Sequence, residues 1–511
     1  MPRPDRLCYP WVAALPFWLI PAVVITAVAT PVLPVGFMSV ARAVLWLSVA
    51  SLAAYALLRL TVVGCGRLFA AQAGLGLLFS VATVVTTSMP AKAFLVGGVV
   101  LSVFLARGSS RYVIHVASAA RAMALVLTGV ELAIVVHSLF PPPLSSEVVR
   151  AMSQVRSLPE ALDTGGDPPD IYQILLDSFG QPEYLNARWG VDVGPIASEL
   201  ADRGFEVVPD ARSNYDVTSQ SLPSMLNMTY LDPLVPVMDG SRSLVPLHRL
   251  VSDSATVAAL RREGYRIVVF GANYSATQDL ADIDECHCAP TAFGEFEMNV
   301  LAMTPLRHVG LGGLEYSPHR RRILETFDAL DRFSLARQPV FVLAHVLAPH
   351  PPFVLDRNGQ AVTPAFPFSL GSGTAYRGTL ADFKTRYADQ ARYVAMRAIA
   401  AADHLISVSR AAGRRAVVII HGDHNTRFDA DPTRPTASDG RDVLPILLAI
   451  RWPAGGRAAE PVHSLVNVYR EIFGRYFGAE MFHLPDRGYV VSFDGAYKFI
   501  AVPPSKDATA R

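Results

Sequence analysis

Polar side chains follow three short apolar runs, at the points where the runs end. Asp177 comes directly after Ile-Leu-Leu, and the pair Asp423-His424 comes directly after Ile-Ile-His-Gly. A third run, Val-Leu-Ala, leads into His345, and His350 follows five residues later. Carboxylate and imidazole groups suit zinc or manganese as ligands. A single aspartate after a strand is more often a helix cap or a turn residue, but three such segments in one domain predict a metal site.

A stretch dense in hydroxyl groups, residues 213–228, could supply a nucleophile for this site. It contains Thr218, Ser219 and Ser221 and leads into a run with helical character. A hydroxyl at a helix N-terminus gains from the helix dipole, and a bound metal lowers its pKa further. The same residues would serve equally as ordinary helix N-caps, so this segment alone leaves both roles open.

The elements that must position these side chains alternate along the chain. Short apolar runs predict buried strands, and longer amphipathic stretches predict helices. The predicted strands are Ile171–Leu176, Arg266–Phe270, Val340–His345, Ala416–Ile420 and Leu444–Ile450. The predicted helices are Pro195–Arg203, Ala381–Ala411 and Val466–Phe477. This alternation predicts an α/β domain with a mostly parallel central sheet, whose ligand site lies beyond the carboxyl ends of the strands.

The order of the candidate residues resembles that of the alkaline-phosphatase superfamily. The residues that carry the resemblance are Asp177, Thr218, His350, Asp423 and His424. The similarity extends over about residues 170–490 and is greatest to sulfatase-like membrane enzymes, such as lipid A phosphoethanolamine transferases and lipoteichoic acid synthases. Its strongest element is Thr218 with Pro223 five residues later, because the phosphoethanolamine transferases have a T-x-x-S-x-P arrangement with threonine as the nucleophile.

The resemblance implies a metal-dependent site and assigns roles within it. Asp177, Thr218, Asp423 and His424 would bind one divalent metal ion, with zinc and manganese as the candidates. Thr218 would also be the catalytic nucleophile.

The two histidines of the third segment would act on the transferred group. The resemblance implies that His350 is catalytic and contacts the transferred group or a second metal. We predict that His345, in the same H-x-x-x-x-H segment, also binds substrate.

Two departures from the family patterns bear on the reaction. Sulfatases have C/S-x-P-x-R, and the nearest stretch here begins at Ser221 but has Met225 in place of the arginine. That difference argues against a formylglycine sulfatase. The transferases also have a histidine about twelve residues after the D-H pair, where this chain has Thr436, which argues against a second metal.

The first 140 residues are almost entirely apolar, whereas the chain as a whole has 51% hydrophobic and 17% charged residues. A membrane-spanning helix needs about 20 mostly apolar residues. Five stretches come close to that length: Trp11–Leu33, Ala43–Val63, Leu68–Ser88, Ala93–Ala106 and Ala122–Phe140. The first is not typical of a cleaved signal peptide, because another apolar stretch follows almost at once. We therefore predict a multi-span α-helical membrane domain over residues 1–140.

Basic residues are unevenly distributed between the two sets of predicted loops. One set has seven arginines: Arg3, Arg6, Arg59, Arg67, Arg107, Arg111 and Arg121. The other set has only Arg42 and Lys92. Because cytoplasmic loops are enriched in basic residues, the N-terminus is predicted to be cytoplasmic. Five spans then place everything after Phe140 outside the membrane, in the periplasm or the extracellular space.

The rest of the chain is predicted to form a linker, a catalytic domain and a tail. Residues 141–169 are rich in proline, glycine and serine and predict a linker. The catalytic domain would cover residues 170–503 and the tail residues 504–511.

Two further features limit the function classes. Cys286 and Cys288 form a C-x-C pair, which has too few ligands for a typical zinc site and favours a disulfide or a pair of loop thiols. The net charge is +1 and no basic stripe is present, so nothing supports binding to nucleic acid.

Together these features predict a membrane-anchored, metal-dependent phosphoester group transferase that acts on a cell-envelope lipid or glycan. Several membrane spans favour a lipid-linked donor or acceptor, since a hydrolase would need only one anchor. One alternative is a membrane-bound phosphatase, phosphodiesterase or sulfatase with water as the acceptor. Another is a catalytically inactive relative that acts in envelope assembly, although the intact Asp-Thr-Asp-His set argues against it.

Overall fold

A computed structural model describes most of the chain after residue 142 and a smaller share of the chain before it. The described residues are 14–20, 22, 37–60, 68–69, 71–73, 75–76, 122, 126, 129, 133, 143–156, 162, 167–272, 274–278, 280, 283–288, 300, 316–335, 337–362, 376, 378–428, 435–453, 457–458, 460–492 and 494–503. The chain divides into two structural units, residues 1–143 with 292–312 and residues 144–291 with 313–511.

The first unit contains helix α1, Phe37–Arg59. Within the described residues, the part Val40–Arg59 is long and apolar enough to cross a membrane, with a mean hydropathy of 1.7, by length and composition only. The predicted span Ala93–Ala106 lies outside the described residues, and the other four predicted spans are described only in part, Ala43–Val63 as far as residue 60. The multi-span membrane domain therefore stays a prediction.

The second unit is built on a mixed, mostly parallel sheet. Its strands are β1 (Asp170–Leu176), β2 (Glu206–Val207), β3 (Arg266–Phe270), β4 (Glu285–Cys286), β5 (Val340–Val346), β6 (Ala416–His421) and β7 (Leu448–Arg451). Their order in the sheet is β2-β7-β6-β1-β5-β3-β4. Strand β7 pairs antiparallel with β2 and β6, and the other pairings in this sheet are parallel. A separate hairpin joins β8 (Gly488–Val491) and β9 (Phe499–Val502).

Helices of the second unit connect these strands. They are α2 (Ser146–Val155), α3 (Pro182–Trp189), α4 (Ile196–Asp202), α5 (Thr218–Asn227), α6 (Val245–Ser252), α7 (Ala255–Arg262), α8 (Ser275–Gln278), α9 (Ser317–Leu330), α10 (Leu380–Ala411), α11 (Gly440–Val443) and α12 (Leu465–Phe477), with a 3₁₀ turn at Asp232–Val237. Helix α10 begins where the Thr379 hydroxyl caps the backbone N–H of Asp382. Helix α12 ends at Gly478, which adopts the left-handed conformation that favours glycine.

Helices cover both faces of the sheet. Along β1, Tyr172, Ile174 and Leu176 pack into one hydrophobic core, and Ile171 and Leu175 pack into another. The first core includes side chains of α3, α4, α9 and α10, and the second includes side chains of α5, α7 and α12. Because both faces are buried, the central strands are mostly apolar along their length rather than alternating, although β1 includes Gln173 and β5 includes His345. The sheet thereby holds its strand ends in a rigid edge from which polar side chains can project.

The predicted α/β class with a mostly parallel sheet is confirmed, and two local predictions differ from the structure. The predicted strand Leu444–Ile450 begins only at Leu448, because the residues before it form a bend that includes Pro445 and makes isolated bridges. The predicted linker, residues 141–169, contains helix α2. The Ser145 side chain caps this helix, and Val148, Ala151 and Val155 bury one face of it.

Candidate metal centre

Two neighbouring strands bring the predicted metal ligands to one edge of the sheet. Strand β1 pairs in parallel with β6, with Leu175 opposite His421, so the turns after both strands lie side by side. The turns are in close contact: a Cβ atom on Gly422 would lie 2.2 Å from the carbonyl oxygen of Phe179. Only glycine allows that approach, which places Asp177 and Asp423 next to each other.

Asp177, Asp423 and His424 form a buried cluster at this edge. One ligand atom from each lies within 4.8 Å of the others. His424 Nε2 is 3.6 Å from Asp423 Oδ2 and 3.8 Å from Asp177 Oδ1. Among the described residues, this is the one group of three or more such side chains close enough to hold a metal ion.

The donor set of this cluster fits a divalent metal. The Nδ1–H of His424 donates to the carbonyl oxygen of Asn425 at 2.9 Å, which leaves the Nε2 lone pair facing the carboxylates. Asp423 Oδ2 is buried and has no hydrogen-bond partner among the described residues. A buried carboxylate oxygen without a donor is unfavourable, whereas a cation would satisfy it. Two carboxylates and one oriented imidazole are a ligand set typical of zinc or manganese.

The pKa values indicate that the cluster holds negative charge. Burial alone would raise the pKa of Asp177, but His350, His345 and His424 together hold it well below the usual range of a carboxyl group. Burial alone would lower the pKa of His424, yet the carboxylates of Asp423 and Asp177 outweigh burial and raise it. The lowered pKa of Asp177 and the raised pKa of His424 both indicate a buried, negatively charged pocket. Such a pocket favours protonation of the His424 imidazole and would equally attract a metal cation.

Thr218 lies beside this cluster at the first residue of helix α5. Its Oγ1 is 3.4 Å from Asp177 Oδ2 and 3.4 Å from His424 Nε2. Ser221, one turn further along, is engaged elsewhere: its hydroxyl donates to the carbonyl oxygen of Asp423 at 2.8 Å and lies 3.0 Å from Ser213 Oγ. Thr218 is therefore the hydroxyl of this segment that faces the carboxylates.

The two histidines of the third segment occupy different positions. His345 is fully buried, with Nε2 3.2 Å from Asp177 Oδ2 and Nδ1 2.9 Å from Thr277 Oγ1. Since both ring nitrogens have protein partners, this placement favours a role in orienting Asp177 over the substrate contact predicted from the sequence. His350 is half-buried, its backbone N–H donates to the Asp177 carbonyl oxygen at 3.0 Å, and its Nδ1 lies 2.6 Å from the Pro351 carbonyl oxygen.

An ion pair that the sequence did not single out joins the two halves of the site. Asp216, two residues before Thr218, pairs with Arg427, three residues after His424, and both side chains are buried. Asp216 Oδ1 also accepts the backbone N–H of Val491 at 2.8 Å. Burial raises the pKa of Asp216, because its surroundings disfavour the charged form even beside the arginine. Asp216 and Arg427 lie within three residues of Thr218 and His424 in the sequence. This proximity is the one sequence signal that could have indicated the ion pair.

Three solved structures illustrate what the chain is similar to. The C-terminal periplasmic domain of EptC from Escherichia coli in complex with Zn is 11% identical, with a TM-score of 0.41, over 70% of this chain and 100% of that one. The integral membrane protein lipooligosaccharide phosphoethanolamine transferase A from Neisseria meningitidis is 12% identical, with a TM-score of 0.38, over 90% and 95% of the two chains. The 2-O glycosaminoglycan sulfatase BT1596 is 12% identical, with a TM-score of 0.41, over 64% and 78%.

These neighbours are phosphoethanolamine transferases and sulfatases, the enzyme classes that the motifs around Asp177, Thr218 and Asp423 resemble. No protein-family model and no curated protein sequence matches the chain. The function proposed below rests on the residues of the metal centre.

Proposed function

We propose that the chain is a membrane-anchored, metal-dependent enzyme that transfers a phosphoester-linked group, with Thr218 as the nucleophile. The observation that supports this most directly is the position of Thr218 Oγ1, 3.4 Å from both Asp177 Oδ2 and His424 Nε2. A hydroxyl at a helix N-terminus beside a metal-ligand cluster is the arrangement expected of an activated nucleophile.

The residues that would hold the metal are Asp177, Asp423 and His424, with Thr218 completing the set. Zinc and manganese both suit these ligands. When bound, a divalent ion supplies positive charge beside the nucleophile and the transferred group.

The reaction would proceed by two displacements at phosphorus. Thr218 Oγ1 loses its proton and forms a bond to phosphorus, while the bond from phosphorus to the donor oxygen breaks and that oxygen gains a proton. His350 lies on the turn beside Asp177 and would donate to the non-bridging oxygens or to the leaving oxygen. An acceptor hydroxyl then attacks the phosphothreonine and regenerates the Thr218 hydroxyl.

The substrates are proposed to be components of the cell envelope. A chain with several predicted membrane spans suits a lipid-linked donor or acceptor, and the predicted topology places the catalytic unit outside the membrane. A hydrolase would use the same nucleophile with water as acceptor. Products formed with and without an added acceptor lipid therefore separate a transferase from a phosphatase, phosphodiesterase or sulfatase.

The decisive test is mass spectrometry of the Thr218 peptide after the full-length protein, in detergent, is incubated with membrane lipids and zinc. We expect a covalent phosphoester adduct on Thr218 that is absent from Thr218→Ala. A wild-type protein that binds metal but forms no adduct, under conditions where the donor lipid is consumed, would contradict the covalent mechanism. If the donor were not consumed either, the inactive assembly role would be favoured.

A further inference from the structure

The turn that follows strand β1 has an unusual backbone conformation at Ser178. Its φ is +63°, in the left-handed region that non-glycine residues seldom adopt. Backbone strain of this kind persists only where the surrounding structure enforces it, and it is concentrated at functional sites. Ser178 directly follows Asp177, so its conformation bears on the metal centre.

In this conformation Ser178 contacts both metal-ligand carboxylates. Its backbone N–H donates to Asp423 Oδ1 at 3.0 Å, and its hydroxyl donates to Asp177 Oδ1 at 3.1 Å. One oxygen of each carboxylate is thereby occupied. The other oxygens are Asp423 Oδ2, which has no hydrogen-bond partner among the described residues, and Asp177 Oδ2, which lies 3.4 Å from Thr218 Oγ1 and 3.2 Å from His345 Nε2.

A tyrosine on a distant helix holds the turn in place. The hydroxyl of Tyr387, on α10, donates to the Ser178 carbonyl oxygen at 2.9 Å and accepts the Gly180 N–H at 3.1 Å. The side chain is fully buried, and its ring packs edge-on against Phe353 and Phe428. This rigid hydroxyl spans the turn and satisfies backbone groups on both sides of Phe179.

We propose that Ser178 and Tyr387 form a positioning pair that sets the metal affinity of the site. Tyr387 holds Ser178 in the left-handed conformation, and Ser178 then fixes which carboxylate oxygens face the metal. Hydrogen bonds to ligating carboxylates orient them, and loss of such partners typically weakens metal binding by 10–100-fold. The inference rests on the metal centre of the proposed function but not on the reaction that it performs.

The first test uses zinc alone as the probe, titrated into metal-stripped, full-length protein in detergent with a chromophoric chelator as competitor. Tyr387→Phe removes the hydroxyl and keeps the ring, and we expect zinc affinity to fall by at least about 10-fold. Tyr393→Phe is the matched control: it lies on the same helix, but its hydroxyl contacts Arg397. The control should bind zinc as the wild type does. Wild-type affinity in Tyr387→Phe would overturn the proposal.

Thermal unfolding of the zinc-free proteins separates positioning from folding. We expect zinc-free Tyr387→Phe to melt a few degrees below the zinc-free wild type, because two buried backbone groups lose their partner, but to be fully folded at the temperature of the zinc titration. If zinc affinity fell only in step with a large drop in zinc-free stability, the role of Tyr387 would be structural and the proposal wrong.

Substitutions of Ser178 test the backbone conformation directly. Ser178→Gly and Ser178→Asn tolerate a positive φ and keep the backbone N–H that Asp423 accepts. Ser178→Val disfavours that φ, so its zinc affinity should fall below that of both other variants. Equal affinities in all three would overturn the proposal. Tight zinc binding without a Thr218 adduct would contradict only the reaction, whereas a wild type that binds neither zinc nor manganese would contradict both proposals.

Discussion

Thr218 and Ser221 lie one helical turn apart on α5, yet their hydroxyls have different neighbours. Thr218 faces the carboxylate cluster, whereas Ser221 bonds to the Asp423 carbonyl oxygen and to Ser213. Thr218→Ala should therefore abolish group transfer, by on the order of 1,000-fold or more, as expected when a nucleophile is removed. Thr218→Ser should keep part of the activity because the oxygen survives. Radiolabelled group transfer to lipid acceptors measures both.

Ser221→Ala is the matched control for that experiment. It removes hydrogen bonds that support the metal segment, so we expect a loss of about 1 kcal/mol in stability and a far smaller effect on turnover. The opposite result, with Ser221→Ala inactive and Thr218→Ala active, would favour the sulfatase-like alignment and contradict the proposed nucleophile.

The Asp423→Asn substitution should have opposite effects on the free energy of unfolding with and without bound metal. In the metal-free protein, Asp423→Asn replaces a buried carboxylate, whose Oδ2 has no hydrogen-bond partner in the described part of the chain, by a neutral amide that can still accept the Ser178 N–H. At a pH where His424 is neutral, so that no attraction between Asp423 and an imidazolium is lost, we expect the metal-free variant to be more stable than the wild type by about 1–3 kcal/mol. With zinc present, the wild type should become the more stable protein, because the variant has lost a charged ligand.

Melting temperatures measured with zinc and with a chelator check this reversal, and elemental analysis checks the metal content. Asp202→Asn, at an exposed position on α4, is the control. It should change neither the melting temperatures nor the metal content. Unchanged metal content in Asp423→Asn would show that the D-H pair is structural.

At the scale of elements, helix α6 packs against the helix that carries Thr218 and contains a buried histidine. Both ring nitrogens of His248 lack a hydrogen-bond partner among the described residues, and burial lowers the pKa of His248 to about 4. Below pH 6.5 the unfolded chain binds a proton that folded His248 does not bind until about pH 4. The contribution of neutral His248 to the free energy of unfolding is therefore fully present above pH 6.5, and it is lost as the pH falls to 4.

The linkage between that pKa shift and stability predicts the effect of His248→Phe. The variant should reduce the difference in unfolding free energy between pH 7 and pH 4 by roughly 3 kcal/mol, because it removes one titrating group. Urea unfolding in detergent at the two pH values measures the difference. An unchanged pH dependence would mean that His248 is protonated or hydrated in the folded protein.

The sequence predicted the strands around the site well, because burial on both faces makes them continuous apolar runs. Predicted and observed bounds of the central strands agree within one residue, for example Arg266–Phe270. Apolar composition also extended the predicted strand at Leu444, where the chain is buried but bends around Pro445. Burial alone does not distinguish a strand from a buried bend.

Asp177, Asp423 and His424 could be predicted as ligands from the sequence because they follow strands, but the groups that orient them could not. Ser178 shows no pattern beyond its place after Asp177, and its conformation depends on Tyr387, 209 residues away. Amphipathic periodicity predicts that Tyr387 is buried on α10, not that its hydroxyl bonds to a turn. The substrate contact of His345 stays a prediction, and the sequence does not reveal that Thr277 and Asp177 lie beside its two ring nitrogens.

At the scale of the whole molecule, two features bear on the side of the membrane on which the second unit is predicted to lie. The distribution of basic residues over the predicted loops favours a cytoplasmic N-terminus. Cys286 and Cys288 form a disulfide in the second unit. A disulfide was one of the two hypotheses for the C-x-C pair, the other being a pair of loop thiols. Disulfides persist mainly in oxidising compartments, which supports an extracytoplasmic location for this unit.

This topology can be tested with reporter fusions that become active only outside the cytoplasm. With the N-terminus inside and five spans, fusions at Pro142 and at the C-terminus should be active, because an odd number of spans precedes both. A fusion at Arg111 should be inactive, because four spans precede it, and it tests whether the short stretch Ala93–Ala106 crosses the membrane. If that stretch did not cross the membrane, three spans would precede Arg111 and four would precede Pro142. The fusion at Arg111 would then be active and the fusion at Pro142 inactive. Cytoplasmic signals at Pro142 and at the C-terminus would place the catalytic unit on the wrong side for an envelope substrate, and the proposed function would fail with the topology.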